Sequence, residues 1–316
     1  MVRQSIGHGF GKTILFGEHF VVHAIPAIAS ALDLKTTAKI IESKNSGILI
    51  IDESRQSAGR RKFAYSTEND DVLIKLLTIL FQNLNLEPKN LNITIELTST
   101  VPEFGGAGLS AALSVSLTKA LSDYFKLGLS IGKINEVAYE GEKIFHGTPS
   151  GIDNTVATYG GLLWFIRGSP NIITPLKTNS KGLLVIGDTR IHHNTKELVA
   201  EVRRKKETEP TIYNPIFDRA RSLVLEAREA LLTGDWPVVG KLMNENHSLL
   251  QKVGVSISEL DELVQIAIDS GALGAKLTGG GGGGCMIALA PDKETQNKIM
   301  ANIQSAGFHC YATTIG

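Results

Sequence analysis

Cysteine is scarce: the 316 residues hold two, Cys285 and Cys310. That is too few for a disulfide framework, and their spacing matches no metal site. Both lie in apolar C-terminal segments, where a buried free thiol is expected. A reducing cytoplasm fits. Net charge is missing too, since 32 Lys and Arg balance 32 Asp and Glu. No overall field draws the chain to nucleic acid or to an anionic membrane. The basic runs Arg60-Arg61-Lys62 and Arg203-Arg204-Lys205-Lys206 read as solvated surface, the second offset by Glu207 and Glu209. Long apolar runs are absent. The longest uncharged one, residues 20–32, contains His23 and Pro26 and is too short to span a bilayer. The first eight residues lack an apolar signal region. No zinc spacing, nucleophile elbow or Walker A loop occurs.

What is there suits a large core. The chain is 42% hydrophobic and 20% charged, which predicts two domains, 1–180 and 181–316, divided where residues 177–181 turn polar. Residues 12–33 read as paired strands with a corner at Pro26. Residues 37–41, 47–52, 62–66 and 91–97 read as further strands. Residues 70–83 carry apolar side chains at helical spacing, and helices are expected over 111–125 and 131–145. A strand-rich piece follows over 160–175. After a strand at 182–187, helices are expected over 195–206, 215–233, 237–253 and 258–270. The chain then closes as strand, glycine run, strand, helix, strand. The fold class is α+β.

Four stretches carry chemistry. Residues 11–23, Gly-Lys-Thr-Ile-Leu-Phe-Gly-Glu-His-Phe-Val-Val-His, set Lys12, Glu18 and His19 into an apolar wall. Such charges are costly unless paired or used; they form a structural ion pair or part of a site, and Gly17 suggests a sharp bend before them. Residues 105–110 offer backbone amides at a helix start, either an anion site or a plain capped turn, with Ser110 as cap or metal ligand. In residues 140–154, Asp153 is either a helix cap or a carboxylate beside a reacting hydroxyl. Glu142 there is either a hard oxygen ligand for Mg²⁺ or a partner of a neighbouring Lys or Arg. Thr278 precedes six consecutive glycines, 279–284. These point to a close approach by a phosphate or substrate anion, or to a hinge. Amides, a divalent ion, a cation and a carboxylate base are together what phosphoryl transfer needs.

On these residues the chain resembles the GHMP kinases, small-molecule kinases, and among them those acting on mevalonate. The likeness runs through residues 11–23, 105–112, 146–154 (His-Gly-Thr-Pro-Ser-Gly-Ile-Asp-Asn), Asp188-Thr with 194–199, and 276–285. It implies a two-domain fold, an N-terminal α/β domain like domain 2 of ribosomal protein S5 and a C-terminal ferredoxin-like α+β domain. It implies ATP and Mg²⁺ as cofactors, mevalonate as the small-molecule substrate and, by resemblance alone, a homodimer. Asp153 would be the catalytic carboxylate, with Lys12 stabilising developing charge. Glu142 and Ser110 would hold Mg²⁺. Pro102, Gly105, Gly106, Ala107, Gly108, Leu109, Ser110, Ala111 and Ala112 would surround the ATP phosphates. Glu18, His19, Thr195, Thr278 and Gly279 would serve the substrate. The alternatives are another GHMP kinase, for phosphomevalonate or a sugar, and a binding homologue that has lost phosphate handling. The phosphate loop departs from the family's usual Pro-x-Gly-x-Gly-Leu-Gly-Ser-Ser-Ala: Leu109 replaces the first serine, and Glu103 adds a negative charge near a polyphosphate. Ala24 stands where glycine is common and Gly280 where alanine is common; both are expected to be tolerated.

Overall fold

The structure is a computed structural model that describes residues 2–103, 106–147, 149–191 and 195–316. The chain forms two compact units. The first is built mainly from residues up to Lys12, 34–103 and 107–160; the second mainly from 13–33 and 161–316. The grouping by contact is therefore discontinuous in sequence.

In the first unit, β1 (Gln4–Phe16) supplies its first part and β2 (Ala27–Glu42) its second. β3 (Ile48–Glu53), β4 (Arg61–Ala64), α1 (Val72–Asn83) and β5 (Ile93–Ser99) follow. The unit ends with α2 (Leu109–Phe125), α3 (Ile131–His146) and α4 (Ile152–Tyr159). β2 pairs antiparallel with β5, from Thr36 opposite Ser99 to Glu42 opposite Ile93; β3 runs parallel to β5 and antiparallel to β4. Alternation puts Ala38 and Ile40 on the buried face, where Ile50 and Ile95 join Leu73, Leu76, Leu77 and Leu80 of α1 and Leu113, Leu117 and Leu121 of α2. Asp71 caps α1 by accepting from the Leu73 N–H at 2.8 Å.

One feature of β1 decides where α2 sits. Gly7, Gly9 and Gly11 share a strand face, and that face meets helix backbone directly. A Cβ at Gly7 would lie 2.2 Å from the Ser116 carbonyl oxygen, and one at Gly9 would lie 2.2 Å from that of Ala112. With no side chains between them, strand and helix close to backbone contact. This brings the start of α2 beside Lys12.

The second unit contains β6 (Leu162–Ile166), β7 (Ile172–Leu176), β8 (Gly182–Asp188), α5 (Thr195–Thr208), α6 (Pro210–Thr233) and α7 (Trp236–Lys252). It continues with α8 (Ser258–Asp269), β9 (Gly274–Leu277), β10 (Cys285–Ala290), α9 (Lys293–Ser305) and β11 (His309–Ile315). The start of β2 pairs with β6, which pairs with β7. A separate antiparallel sheet has the order β11-β8-β10-β9. Cys285 is buried in that sheet and Cys310 is only half-buried; both are free.

Two sequence expectations are corrected. Residues 20–22 are not strand: Phe20–His23 is a short 3₁₀ turn. Gly17, His19 and Ala24 all have positive φ (97°, 57° and 57°) and close the chain on both sides of it, while Phe20 is buried edge-on against Phe217, ring centroids 5.0 Å apart. Residues 152–159 form a helix whose eight residues are too few for the helical period to stand out in sequence. α6 begins at Pro210 rather than 215, with Pro210 in the first turn, where its missing N–H costs nothing, and Pro215 inside the helix. Ala24 is also less neutral than expected, because a left-handed conformation costs a non-glycine residue about 1 kcal/mol. Ala24→Gly should therefore stabilise the protein by about that amount, read as a higher denaturation midpoint at unchanged slope; no gain would show that the strain is relieved elsewhere.

Candidate functional site

The first unit gathers Lys12, Asp153, Ser110 and Glu142. Lys12 lies in β1, where its backbone N–H donates to the Ala107 carbonyl at 2.8 Å. Its side chain passes over Gly108, whose added Cβ would come within 2.8 Å of Lys12 Cγ. Gly108 has φ +81° and is the N-cap of α2; no other residue type combines that backbone with that approach. Lys12 Nζ reaches Asp153 Oδ1 at 3.2 Å, with the lysine nearly buried and the carboxylate 30% exposed. Asp153 is not the cap of α4, a place held by Gly151; it stands in the first turn, where the helix dipole favours an anion.

Ser110 is likewise not a cap but lies one residue inside α2. Its hydroxyl sits 3.2 Å from Glu142 Oε2 and 3.3 Å from His146 Nε2. Glu142 is 1% exposed, and no Lys or Arg forms an ion pair with it among the described residues, so the exposed-pair reading fails. Burial and then the nearby Asp153 charge push its pKa up to about 8, partly opposed by the Ser110 hydroxyl and Lys12. Its Oε1 is buried without a hydrogen-bond partner. A desolvated, half-satisfied carboxylate beside a hydroxyl and a second carboxylate is a donor set that suits a hard divalent cation. Among the described residues no cluster of three His, Cys, Asp or Glu gathers. The protein would thus give few ligands, leaving most of the shell to phosphate and water, as Mg²⁺ prefers.

The rest of the loop expected to meet the phosphates is divided between amides and core. Gly105 lies outside the described residues, as do Phe104, Thr148 and Asn194. Gly106 and Gly108 both have positive φ. Pro102 is buried, and Ala107, Ala111 and Ala112 turn their methyls into apolar clusters. Leu109 packs against Val101, Ala107 and Ala112. These residues can offer a phosphate only backbone N–H groups, the unpaired first-turn donors of α2. Glu103 is turned to another use: its carboxylate accepts from the Ser57 N–H at 3.0 Å and hydroxyl at 2.8 Å. The local 3₁₀ turn at Gln56–Ala58 thus occupies the charge that would repel a polyphosphate.

The second unit holds Glu18, His19, Thr195, Thr278 and Gly279. Glu18 is 2% exposed and paired with Lys276, which is fully buried. The other Glu18 oxygen accepts from Asn246 Nδ2 at 3.3 Å. His19 Nε2 lies 2.8 Å from the Gly280 carbonyl; since a carbonyl only accepts, Nε2 carries the proton and Nδ1 is an acceptor. Nδ1 is buried and unpartnered, and burial holds the His19 pKa below its ordinary value, so the ring is neutral. Thr278 Oγ1 is spent on β1: it accepts from the Ile14 N–H at 3.2 Å, donates to the Ile14 carbonyl at 2.9 Å and meets Thr13 Oγ1 at 3.0 Å.

The glycine run is explained in part by the chain itself. A Cβ at Gly280 would meet Thr195 Oγ1 at 2.2 Å, at Gly281 the Val255 carbonyl at 2.2 Å, and at Gly283 the Ile191 carbonyl at 2.3 Å. Alanine at 280 therefore needs Thr195 to move. Gly279, with φ +81°, opens the run. Sequence reasoning missed Asn246 and Lys276 as partners of Glu18. A buried lysine in a strand that ends at a glycine run was the signal for Lys276; Asn246, on the distant α7, had none.

Residues 71–161 match the GHMP kinases N-terminal domain and 227–309 the GHMP kinases C-terminal. The chain is 37% identical to the mevalonate kinase of Thermococcus sibiricus, covering 94% of this chain and 91% of that one. It is 30% identical to the mevalonate kinase of Arabidopsis thaliana, over 97% and 96%. The crystal structure of L. major mevalonate kinase in complex with R-mevalonate superposes with a TM-score of 0.90 at 32% identity, covering 98% of this chain and 95% of that one. Two domain matches and 37% identity over 94% of the chain settle the family: the chain belongs to the GHMP kinases, in the mevalonate kinase family.

Proposed function

We propose that the protein transfers the γ-phosphoryl group of ATP to the primary hydroxyl of mevalonate, forming 5-phosphomevalonate and ADP. The observation that carries this reading is the Lys12–Asp153 pair at 3.2 Å, anchored on the loop that opens α2. Asp153 takes the hydroxyl proton as the alcohol oxygen bonds to Pγ and the bond from Pγ to the bridging oxygen of ADP breaks. Lys12 holds Asp153 in place and offsets the charge that grows on the equatorial oxygens. The first-turn amides of α2 hold the polyphosphate. Ser110 and Glu142 would hold Mg²⁺, which, when bound, neutralises phosphate charge. On the acceptor side, neutral His19, whose Nδ1 is buried and unpartnered, would accept from a hydroxyl, with Thr195 and the Gly279 backbone as further contacts. Thr278 supports this segment through Ile14 rather than by a free hydroxyl.

ADP release by the purified protein with ATP and Mg²⁺ tests the reading against mevalonate, phosphomevalonate, galactose and homoserine. Turnover is expected with mevalonate. Preference for another acceptor would move the chain to a different GHMP activity, and no turnover with any would leave a binding homologue. Ser110→Ala should raise the Mg²⁺ concentration for half-maximal rate several-fold. An unchanged titration would remove Ser110 from the metal site.

No helix among the described residues is long and apolar enough to cross a membrane.

A further inference from the structure

Glu18 was expected to face the substrate, yet the structure leaves it no free oxygen. One oxygen is paired with Lys276 Nζ and the other accepts from Asn246. Lys276 also donates to the Leu277 carbonyl at 2.6 Å, so its ammonium is tied both to Glu18 and to the end of β9. Burial pushes the Lys276 pKa down and Glu18 pushes it back up. The pair is therefore a dry internal contact, not a solvated one.

Its position gives it a role. The turn at residues 17–19 is held by left-handed backbone at Gly17 and His19, which costs free energy at the histidine. Among the described residues, ties fasten this part of the chain to residues 276–280: Thr13 and Ile14 to Thr278, Glu18 to Lys276, and His19 to Gly280. The middle tie is the ionic one. The turn is also held by its own bond from the Val21 N–H to the Gly17 carbonyl at 3.0 Å and by Phe20 buried on Phe217, but the Glu18–Lys276 contact is the charged tie among those described. We infer that Lys276 and Asn246 are positioning residues for acceptor recognition: they clamp Glu18, Glu18 holds the turn that aims His19, and Glu18 itself makes no contact with the acceptor. This rests on the kinase reading above and names a set of residues behind its acceptor side.

The test is a double-mutant cycle in the full-length protein, using Glu18→Gln, Lys276→Met and the two together. Each single variant should raise the KM for mevalonate about tenfold or more while the KM for ATP stays within about twofold. Lys276→Met leaves a buried, uncompensated carboxylate. Adding Glu18→Gln removes that charge, so the double variant should be less impaired than Lys276→Met alone. If Glu18 touches the acceptor directly, the two effects multiply in the double variant, and the inference is wrong. An unchanged mevalonate KM in Lys276→Met also overturns it. Should Lys276→Met not fold, Asn246→Leu carries the test: a rise of a few-fold in mevalonate KM alone supports the clamp, and no rise refutes it. Wild-type turnover of mevalonate tests the kinase reading separately. Hydrogen exchange gives a readout independent of activity: in the lysine or asparagine variant, segments 17–23 and 278–282 should exchange faster while the start of α2 does not.

Discussion

Asp153→Asn is expected to lower kcat by about 10³-fold while mevalonate binding, read by calorimetry, changes little. The amide keeps the shape of the side chain and can still accept from Lys12, but it cannot take a proton. Lys12 loses its ionic partner, though the cost to stability is small because the Asp153 side chain is 30% exposed and water can compensate. The loss should therefore appear in the chemical step and not in the melting temperature. Near-normal turnover would refute Asp153 as the base and leave the pair a structural bridge between β1 and α4. Lys12→Met is the companion measurement. It should also lower kcat strongly, and the two losses should not add, since each removes the same unit.

The second large effect is expected at Glu142, and it has opposite signs for stability and rate. The carboxyl of an unfolded chain ionises near its ordinary 4.5, whereas in the folded, metal-free protein burial raises it to about 8. Between these values the folded state binds the extra proton. Its contribution to stability is thus complete below about pH 4.5 and is lost as pH rises through 8. Glu142→Gln mimics the protonated form and removes this loss. The metal-free variant should melt at a more constant temperature from pH 5 to 9 and be more stable than the parent at pH 8.5. Its kcat should fall about 10²-fold, with a weakened response to Mg²⁺. Added Mg²⁺ should flatten the parent's own pH profile, because binding requires and rewards the ionised form. Parallel stability profiles for parent and variant would show that Glu142 does not titrate in this way.

Much of this was legible in the sequence because the relevant signals are local. The α1 helix was visible from five apolar residues at helical spacing. Lys12, Asp153, Ser110 and Glu142 stood out as charged or polar groups in apolar or glycine-rich company. What escaped has a physical reason in each case. Phe20–His23 has strand composition, but a buried Phe217 from far along the chain decides its shape. Asn246 meets Glu18 across 228 positions, a contact that no window can see. Glu103 looked like an electrostatic fault in the phosphate loop until Ser57 was placed against it. The glycine run pointed to a close approach by an anion or to a hinge, whereas Gly280, Gly281 and Gly283 are crowded by Thr195, Val255 and Ile191 of the chain itself. Composition announces that backbone must come close to something; only coordinates say to what.

The bare face of β1 has a consequence for how such an enzyme can diverge. Where side chains separate a helix from a strand, every change of size in the interface shifts their spacing. At Gly7 and Gly9 the spacing is set by peptide atoms, which no substitution elsewhere alters. The apolar residues beneath α1 and α2 are therefore free to drift in kind and volume without moving the start of α2 away from Lys12. A chain that shares about a third of its residues with this one could therefore keep the start of α2 beside the lysine. The same geometry makes the strand unforgiving: one methyl at Gly9 would reach that distance before it reached anything else.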